Sequence, residues 1–130
     1  MKKMKDLESW LEEYEKYRDC FQKKLGSVEK EDGKVLLHYE NSVVTVFCEE
    51  NLSDLEGLEA DKIATLNTTN NLEWVMHNWE DLVEEGVMLY FVNLDTKNNW
   101  VLKPRLHSKI TPQKHLKKSL QTLFQTVKEA

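Results

Sequence analysis

The first part of the chain places apolar and charged residues at the period of an α-helix. Over residues 5–25, apolar and aromatic side chains recur every three or four positions, which puts them on one helical face. These residues are Leu7, Trp10, Leu11, Tyr14, Tyr17, Phe21 and Leu25. Gly26 follows at a position typical of a helix C-terminus. The pattern predicts one amphipathic helix over 5–25, which packs on the rest of the fold or, because several positions fit a short heptad, forms a dimer seam.

Three runs rich in β-branched and aromatic residues come next. "KVLLHYE" (34–40) and "SVVTVFCE" (42–49) are separated only by Asn41, and this spacing predicts an antiparallel hairpin. The second run is apolar on both faces and is predicted to be the more buried strand. The acidic segment 50–62 is predicted to be a loop with a helical turn. It leads into a third short strand, "IATLNT" (63–68).

A second amphipathic helix is predicted from Asn70 to the residue before Gly86. Asn70 and Glu73 have the spacing of an N-cap and its capping-box partner. The apolar stripe of this helix consists of Leu72, Val75, Met76, Trp79, Leu82 and Val83. Trp79 lies in the middle of the stripe and is predicted to be buried. Trp74 falls on the other side of the helix, where an exposed Trp is a common anchor for a protein partner.

The last third of the chain predicts two strands and a helix. "VMLYFVNL" (87–94) is apolar on both faces and indicates a central strand, and "WVLKP" (100–104) indicates an outer strand that Pro104 ends. Thr111 and Pro112 predict the start of a final helix. Its buried side is predicted to consist of Leu116, Leu120, Leu123, Phe124 and Val127. The order α-β-β-β-α-β-β-α predicts an α/β protein with a mixed, helix-covered sheet, in which a parallel crossover between the third and fourth strands lies within an otherwise antiparallel sheet.

Length and composition indicate one domain over residues 1–130. The chain is 40% hydrophobic, which is enough for a core of its own at 130 residues. The longest apolar run, 87–92, is far shorter than the roughly 20 residues of a membrane span. The charged N-terminus does not have the pattern of a signal peptide. We therefore expect a cytoplasmic protein with no membrane partner, in which Cys20 and Cys48 are reduced, buried thiols.

The succession α-β-β-β-α-β over residues 5–94 resembles the core of the restriction-endonuclease-like superfamily. The resemblance implies a nuclease whose catalytic metal is held by an Asp at the start of the second strand and a Glu-x-Lys on the third. Here the second strand begins "NSVV" and the third reads "KIATLNT". Glu59 and Asp61 do not stand in the Glu-x-Lys spacing before Lys62. A shared fold would thus have an absent or degenerate metal site, and a nuclease is the least favoured reading.

No other sequence pattern indicates a catalytic reaction. Carboxylates at 49–61 can in principle gather a hard cation, but their spacing matches no EF-hand loop, and a solvated acidic surface is the favoured interpretation. The histidines have no partner at metalloprotease spacing; they are His38, His77, His107 and His115. No nucleophile elbow, P-loop or dinucleotide fingerprint occurs. The sequence therefore predicts no catalytic residue, no metal ligand and no cofactor, and it favours a binding module over an enzyme.

Charge is strongly segregated along the chain. Residues 1–96 contain ten Lys or Arg against twenty-two Asp or Glu, whereas residues 97–130 contain eight against one. At about 100° per residue, the basic and amide side chains of the last helix fall opposite its apolar face. Together with the cations just before the helix they form what we call the basic strip. It consists of Lys103, Arg105, Lys109, Lys114, Lys117, Lys118, Gln121, Gln125 and Lys128.

The basic strip leads to three hypotheses about function. Its lysines can neutralise several phosphates and its amides can hydrogen-bond to them, which indicates a nucleic-acid-associated accessory module. Alternatively, the strip faces solvent or the chain's own acidic part, and Trp74, the aromatic helix and the opposite charges serve a homo-oligomer or a protein partner. A degenerate or metal-dependent nuclease is the remaining alternative.

Overall fold

The computed structural model describes residues 2–130, which form a six-stranded mixed sheet with helices on both faces. The helices are α1 (Lys2–Arg18), α2 (Thr69–His77), α3 (Trp79–Glu85), α4 (Pro104–Ile110) and α5 (Leu116–Phe124). The strands are β1 (Leu25–Glu31), β2 (Lys34–Tyr39), β3 (Val43–Cys48), β4 (Lys62–Leu66), β5 (Met88–Val92) and β6 (Asn99–Leu102). The strands lie in chain order across the sheet. The predicted α/β class and helix-covered mixed sheet are confirmed.

The strand directions confirm the predicted hairpin and parallel crossover, but the rest of the sheet is not wholly antiparallel as predicted, because β3 and β4 are also parallel. β2 and β3 form the antiparallel hairpin expected around Asn41. β4 pairs in parallel with β3 on one side and with β5 on the other, and β6 returns antiparallel to β5 as the outer strand. The parallel step from β4 to β5 passes through α2 and α3, so the predicted crossover is confirmed. The strands β3, β4 and β5 thus begin at one end of the sheet, which we call the strand-start end.

The sheet separates two hydrophobic clusters. On one face α1 packs over β2, β3, β4 and β5, with Leu7, Leu11 and Trp10 meeting Leu37, Val46 and Tyr90. On the other face α2, α3 and α5 cover Ile63, Leu89, Phe91 and Leu102. β4 and β5 are buried on both faces. This is why their sequences read as continuous apolar runs.

The first helix is shorter than predicted, and the residues after it start an additional strand. α1 ends at Arg18, where the carboxylate of Asp19 accepts hydrogen bonds from the backbone N–H groups of Lys24 (2.8 Å) and Leu25 (2.9 Å). Leu25 is therefore the first residue of β1, not the last of the helix. β1 is an edge strand with mostly exposed, charged side chains, so it lacks the alternation that identifies a strand in sequence.

The shorter helix changes the environment of the residues that follow it. Tyr17 is 78% exposed and Phe21 is 95% exposed, although both were predicted on the buried face. Cys20 is also exposed, which corrects its predicted burial, whereas Cys48 is buried as expected.

The middle helix begins two residues earlier than predicted and is divided in two. Thr68 is the N-cap, and its hydroxyl accepts a hydrogen bond from the backbone N–H of Asn71 at 3.2 Å. Asn70 lies inside the first turn and is exposed. At Asn78 the helix breaks, because the Asn78 side chain donates to the carbonyl of Trp74 at 2.8 Å. The predicted cap at Asn70 is therefore wrong, while the predicted end at Gly86 is confirmed by its left-handed conformation.

The segment after β6 contains a helix that the sequence did not predict. Pro104 is the first residue of α4, a position for which its fixed backbone angle is suited. Thr111 ends α4, and Pro112 precedes a 3₁₀ turn at Gln113–His115, so the final helix starts at Leu116 and not at Pro112. The predicted apolar face of α5 is correct, since Leu120 is buried and Leu116, Leu123 and Phe124 pack beside it.

Candidate functional site

The structure places every residue of the basic strip on the surface. Lys103 precedes α4, Arg105 and Lys109 lie on it, and Lys114 lies in the 3₁₀ turn. Lys117, Lys118 and Gln121 are on α5, Gln125 caps it, and Lys128 follows. All nine side chains are exposed. The predicted arrangement of α5, with charge on one side and Leu and Phe on the other, is thus present in the folded chain.

The strip runs from one end of the sheet to the other. Lys103 follows Leu102, which pairs with Leu89 at the strand-start end of β5. The backbone carbonyl of Lys128 accepts a 3.0 Å hydrogen bond from Asn93, just beyond the other end of β5. At about 3.3 Å per residue, this strand length is roughly 16 Å.

The cations of the basic strip differ in whether they are already bound to other groups of the protein. Arg105 is bound within the protein, because its Nε donates to the carbonyl of Val83 at 3.0 Å and a terminal nitrogen donates to the carbonyl of Glu84. It therefore caps the C-terminal end of α3, where the helix dipole favours a cation. Among the residues that the structure describes, none of the strip's lysines forms an ion pair. The open half of the strip is the one on and around α5.

The α4 half of the strip also has acidic neighbours. Glu80 and Glu84 of α3 line a cavity together with Ser108 and Thr111 at the end of α4. His107 joins the two basic helices, since its Nε2 lies 3.1 Å from the Ser119 hydroxyl on α5. Burial lowers the pKa of His107. This histidine is therefore a structural link between the helices and adds no charge to the strip at neutral pH.

Asparagine side chains fix the far end of the strip. The fully buried Asn67 donates from Nδ2 to the carbonyls of Val127 (3.0 Å) and Lys128 (3.3 Å), and its Oδ1 accepts from the Trp100 indole at 2.8 Å. Asn93 donates to the Lys128 carbonyl as well. The backbone of Lys128 is thus held in place while its side chain stays exposed. Sequence reasoning missed these asparagines, because no local pattern marks contacts across 35 positions for Asn93 and 61 for Asn67.

Trp74 is not the exposed anchor that the sequence predicted. The side chain is half-buried and packs against the hydrophobic cluster under α2, α3 and α5. The buried residues of α2 are Asn71, Leu72 and Val75, so the buried side of this helix is turned toward Trp74 relative to the predicted apolar stripe. Trp79, in contrast, is buried as predicted, with its ring edge-on to His107 at 5.6 Å between ring centres.

A buried polar cluster that the sequence did not reveal lies between α1 and the sheet. The Tyr90 hydroxyl donates to Glu15 Oε1 at 2.6 Å, and Lys62 Nζ donates to the Tyr90 hydroxyl at 3.1 Å. Glu15 is only 4% exposed, and Arg18 lies 3.6 Å from the same oxygen. Burial, together with the Glu15 carboxylate, raises the pKa of Tyr90. Burial lowers the pKa of Lys62, against the opposing effect of Glu15.

The carboxylates of the acidic segment do not gather. Among the side chains that the structure describes, no group of three or more His, Cys, Asp or Glu is placed to hold a metal ion. Asp61 instead accepts a hydrogen bond from the backbone N–H of Thr45 at 2.9 Å and so links β3 to the start of β4.

Comparisons with protein-family models, with curated proteins and with solved structures gave no match. The observed succession from α1 to β5 has four strands before α2, one more than the succession on which the restriction-endonuclease-like resemblance rests. Because no comparison tests it, the resemblance stays a prediction. Within residues 2–130, no helix is long and apolar enough to cross a membrane.

Proposed function

We propose that this chain is a binding module for a polyanion, with nucleic acid as the favoured ligand, and that the α5 half of the basic strip makes the contact. The observation that carries the proposal is the exposure of Lys114, Lys117 and Lys118 with no ion-pair partner in the described part of the chain. Clustered, unpaired cations are the electrostatic footprint of phosphate binding.

The chemistry of the strip suits the phosphate backbone better than the bases. Lys117 and Lys118 are point charges, and the amides of Gln121 and Gln125 are neutral donors that can hydrogen-bond to phosphate oxygens. α5 contains no arginine, and the one arginine of the strip, Arg105 on α4, is bound to the end of α3. Bidentate reading of guanine by Arg is therefore not available on this face. We expect binding that depends strongly on salt and only weakly on base sequence.

The test is the salt dependence of binding to labelled single-stranded and duplex oligonucleotides, followed by fluorescence anisotropy. Replacing Lys114, Lys117 and Lys118 with Gln removes three phosphate contacts. For duplex DNA the slope of log affinity against log salt should flatten by roughly 2.7 between about 50 and 200 mM salt. The matched control replaces Lys5, Lys23 and Lys24, which are exposed and outside the strip. It has the same net charge and should retain the wild-type slope.

Two results decide against the proposal that the basic strip binds nucleic acid. One is wild-type protein that binds no oligonucleotide even at low ionic strength. The other is an equal loss of binding in the control, which would show that net charge and not the strip determines affinity.

A homo-oligomer or a complex with a protein partner is the second candidate. Its support is the exposure of Tyr17 and Phe21 beyond the end of α1, two aromatic side chains without cover in the described chain. Light scattering over a range of protein concentrations tests the homo-oligomer. A mass that falls to the monomer on Phe21→Glu, while the strip variant keeps it unchanged, would support this alternative.

A further inference from the structure

A groove of about 690 Å³ crosses the strand-start end of the sheet. One wall is the last turn of α1, with Tyr14 and Arg18, and the other is α4, with Leu106 and Ile110. The strand ends between them supply Lys62 and other side chains to the floor. This volume lies within the roughly 300–1,000 Å³ typical of small-molecule sites. The groove involves only Lys103 of the basic strip and leaves the α5 face free.

The lining of the groove has an excess of positive charge. It contains Arg18, Lys62 and Lys103, and no Asp or Glu is among its lining residues. The nearby Glu15 lies beneath the surface and already accepts from Tyr90, with Arg18 at 3.6 Å and Lys62 at 3.9 Å. This buried carboxylate lies within 4 Å of two of the three cations, and Lys103 has no ion-pair partner in the described chain. The exposed Asp61 acts on Lys62 through its charge but does not line the groove, so the groove surface itself carries a net positive charge.

The position of Lys62 suits anion binding better than catalysis. Its side chain is 20% exposed, and the Tyr90 hydroxyl fixes its ammonium group at 3.1 Å. Tyr90 and Glu15 are themselves buried, so neither can reach a molecule in the groove. Burial lowers the pKa of Lys62, and a partly desolvated ammonium group gains more from an anion than one in water does.

The remainder of the lining is apolar. Met88, Val101 and Leu123 line the groove beside the cations. Leu106 is 54% exposed and Ile110 is 73% exposed at its rim. Five large hydrophobic residues are exposed in the described chain, and these two share the strand-start end with Tyr17, Phe21 and Val43. An aliphatic body lying along the groove would cover apolar surface that water now contacts.

We propose that this groove binds an anionic amphiphile, whose carboxylate or phosphate head group contacts Lys62, Arg18 and Lys103 while its aliphatic chain lies against Met88, Leu106 and Ile110. The class of ligand follows from the two halves of the lining. A small inorganic anion would leave the apolar wall uncovered, and a neutral hydrocarbon would gain nothing from the positive charge of the lining. The proposal is independent of polyanion binding by the α5 face.

Isothermal titration calorimetry with decanoate, decyl phosphate, 1-decanol and butyrate tests the ligand class. We expect decanoate and decyl phosphate to bind, decanol to bind at least about tenfold more weakly, and butyrate to bind more weakly still. A tenfold difference is the least expected for loss of a charge-assisted hydrogen bond. Equal affinity for decanol and decanoate, or no binding of either anionic chain at millimolar concentration, overturns the proposal.

Substitutions locate the site. Lys62→Met keeps the aliphatic stem and removes the charge, and it should lower decanoate affinity by about tenfold or more. Arg18→Gln is a second variant. Because the Arg18 side chain is half exposed, this substitution should disturb the fold less. Lys5→Met, at an exposed side chain of α1 that lines neither the groove nor the adjoining pocket, is the matched control and should bind decanoate like wild type. Wild-type affinity in both groove variants, with the fold verified by circular dichroism, overturns the assignment.

A vesicle experiment separates a single bound chain from a lipid surface. Sedimentation with phosphatidylglycerol vesicles should show no more than weak binding, and monomeric decanoate should compete with it. Binding to vesicles without any binding of monomeric decanoate would overturn the groove as the site. Oligonucleotide binding by Lys62→Met should equal that of wild type, so failure of either proposal can be recognised on its own.

Discussion

The hydroxyl of Tyr90 donates a 2.6 Å hydrogen bond to the carboxylate of Glu15, which stands 75 positions earlier in the chain. This contact ties α1 to β5, an inner strand of the sheet, through a polar pair in an otherwise apolar layer. Buried carboxylates destabilise a fold unless they are paired or hydrogen-bonded. The positive charges of Lys62 and Arg18, which lie near the same carboxylate, offset the remaining cost of burying Glu15.

Replacing Tyr90 with Phe should lower the free energy of unfolding by about 1–3 kcal/mol, because Glu15 then loses a buried donor. Urea denaturation followed by circular dichroism measures the change. Tyr14→Phe is the control, since Tyr14 stacks on Trp10 at 4.8 Å between ring centres and no described residue hydrogen-bonds its hydroxyl. If Tyr90→Phe is as stable as Tyr14→Phe, the hydrogen bond between Tyr90 and Glu15 makes no net contribution to the free energy of unfolding.

The buried thiol of Cys48 should make the protein sensitive to alkali. Burial, together with the nearby Glu8, raises the pKa of Cys48 from 9.0 to about 12. Because the folded-state pKa is the higher one, its stabilising contribution is complete below pH 9 and is lost as the pH rises toward 12. The expected slope in this window is about 1.4 kcal/mol per pH unit.

Comparison of variants isolates this contribution from those of other groups. Cys48→Ala should lose less stability between pH 9 and 12 than wild type does, whatever its stability at pH 7. Cys20→Ala is the matched control, because Cys20 is exposed. Parallel pH profiles for wild type and Cys48→Ala would contradict the prediction.

The Asn67 side chain should be one of the most sensitive positions in the protein. Asn67→Leu removes a donor shared by carbonyls at the end of α5 and an acceptor for the Trp100 indole. Leaving these groups unsatisfied should cost about 2–4 kcal/mol. Asn98→Ala, at an exposed side chain, should change stability by less than about 0.5 kcal/mol. Thermal unfolding of both variants compares them, and equal melting temperatures would refute the role given to Asn67.

The two candidate caps of α2 give opposite expectations. Thr68→Ala should destabilise the protein by about 1 kcal/mol, because its hydroxyl accepts from the Asn71 N–H. Asn70→Ala should leave stability unchanged or raise it slightly, since Ala is the better residue inside a helical turn. Chemical denaturation of both variants decides between the cap in the structure and the one suggested by the sequence.

The sequence predicted the inner strands and the amphipathic helices well, because burial on one or both faces leaves a periodic pattern. β3, β4 and β5 are examples, as is the apolar face of α5. The strand β1 was not predicted, for the opposite reason. With charged residues on both faces, this edge strand gains its stability from pairing with β2, which leaves no mark in its own sequence. Pro104 did carry a signal, but the same residue is suited both to ending a strand and to starting a helix.

Of the candidate sites, too, one could be predicted from the sequence and another could not. The basic strip could be predicted because its residues are neighbours in the chain. The cluster of Glu15, Lys62 and Tyr90 could not, because its members come from α1, β4 and β5 and have no common spacing. The exposure of Trp74 was predicted wrongly because the buried side of α2 includes Asn71 beside Leu72 and Val75, and a buried asparagine gives no hydrophobic signal in the sequence.

The sheet also divides the tryptophans between its two faces. Trp10 lies on the buried side of α1 beside Tyr14 and Tyr90. Trp79 and Trp100 belong to the opposite cluster, with Trp100 stacked on Phe91. The protein thus contains separate fluorescent reporters for each layer. A chain that keeps only Trp10 and a chain that keeps only Trp100 would reveal, by the coincidence or separation of their emission changes, whether both layers melt as one cooperative unit.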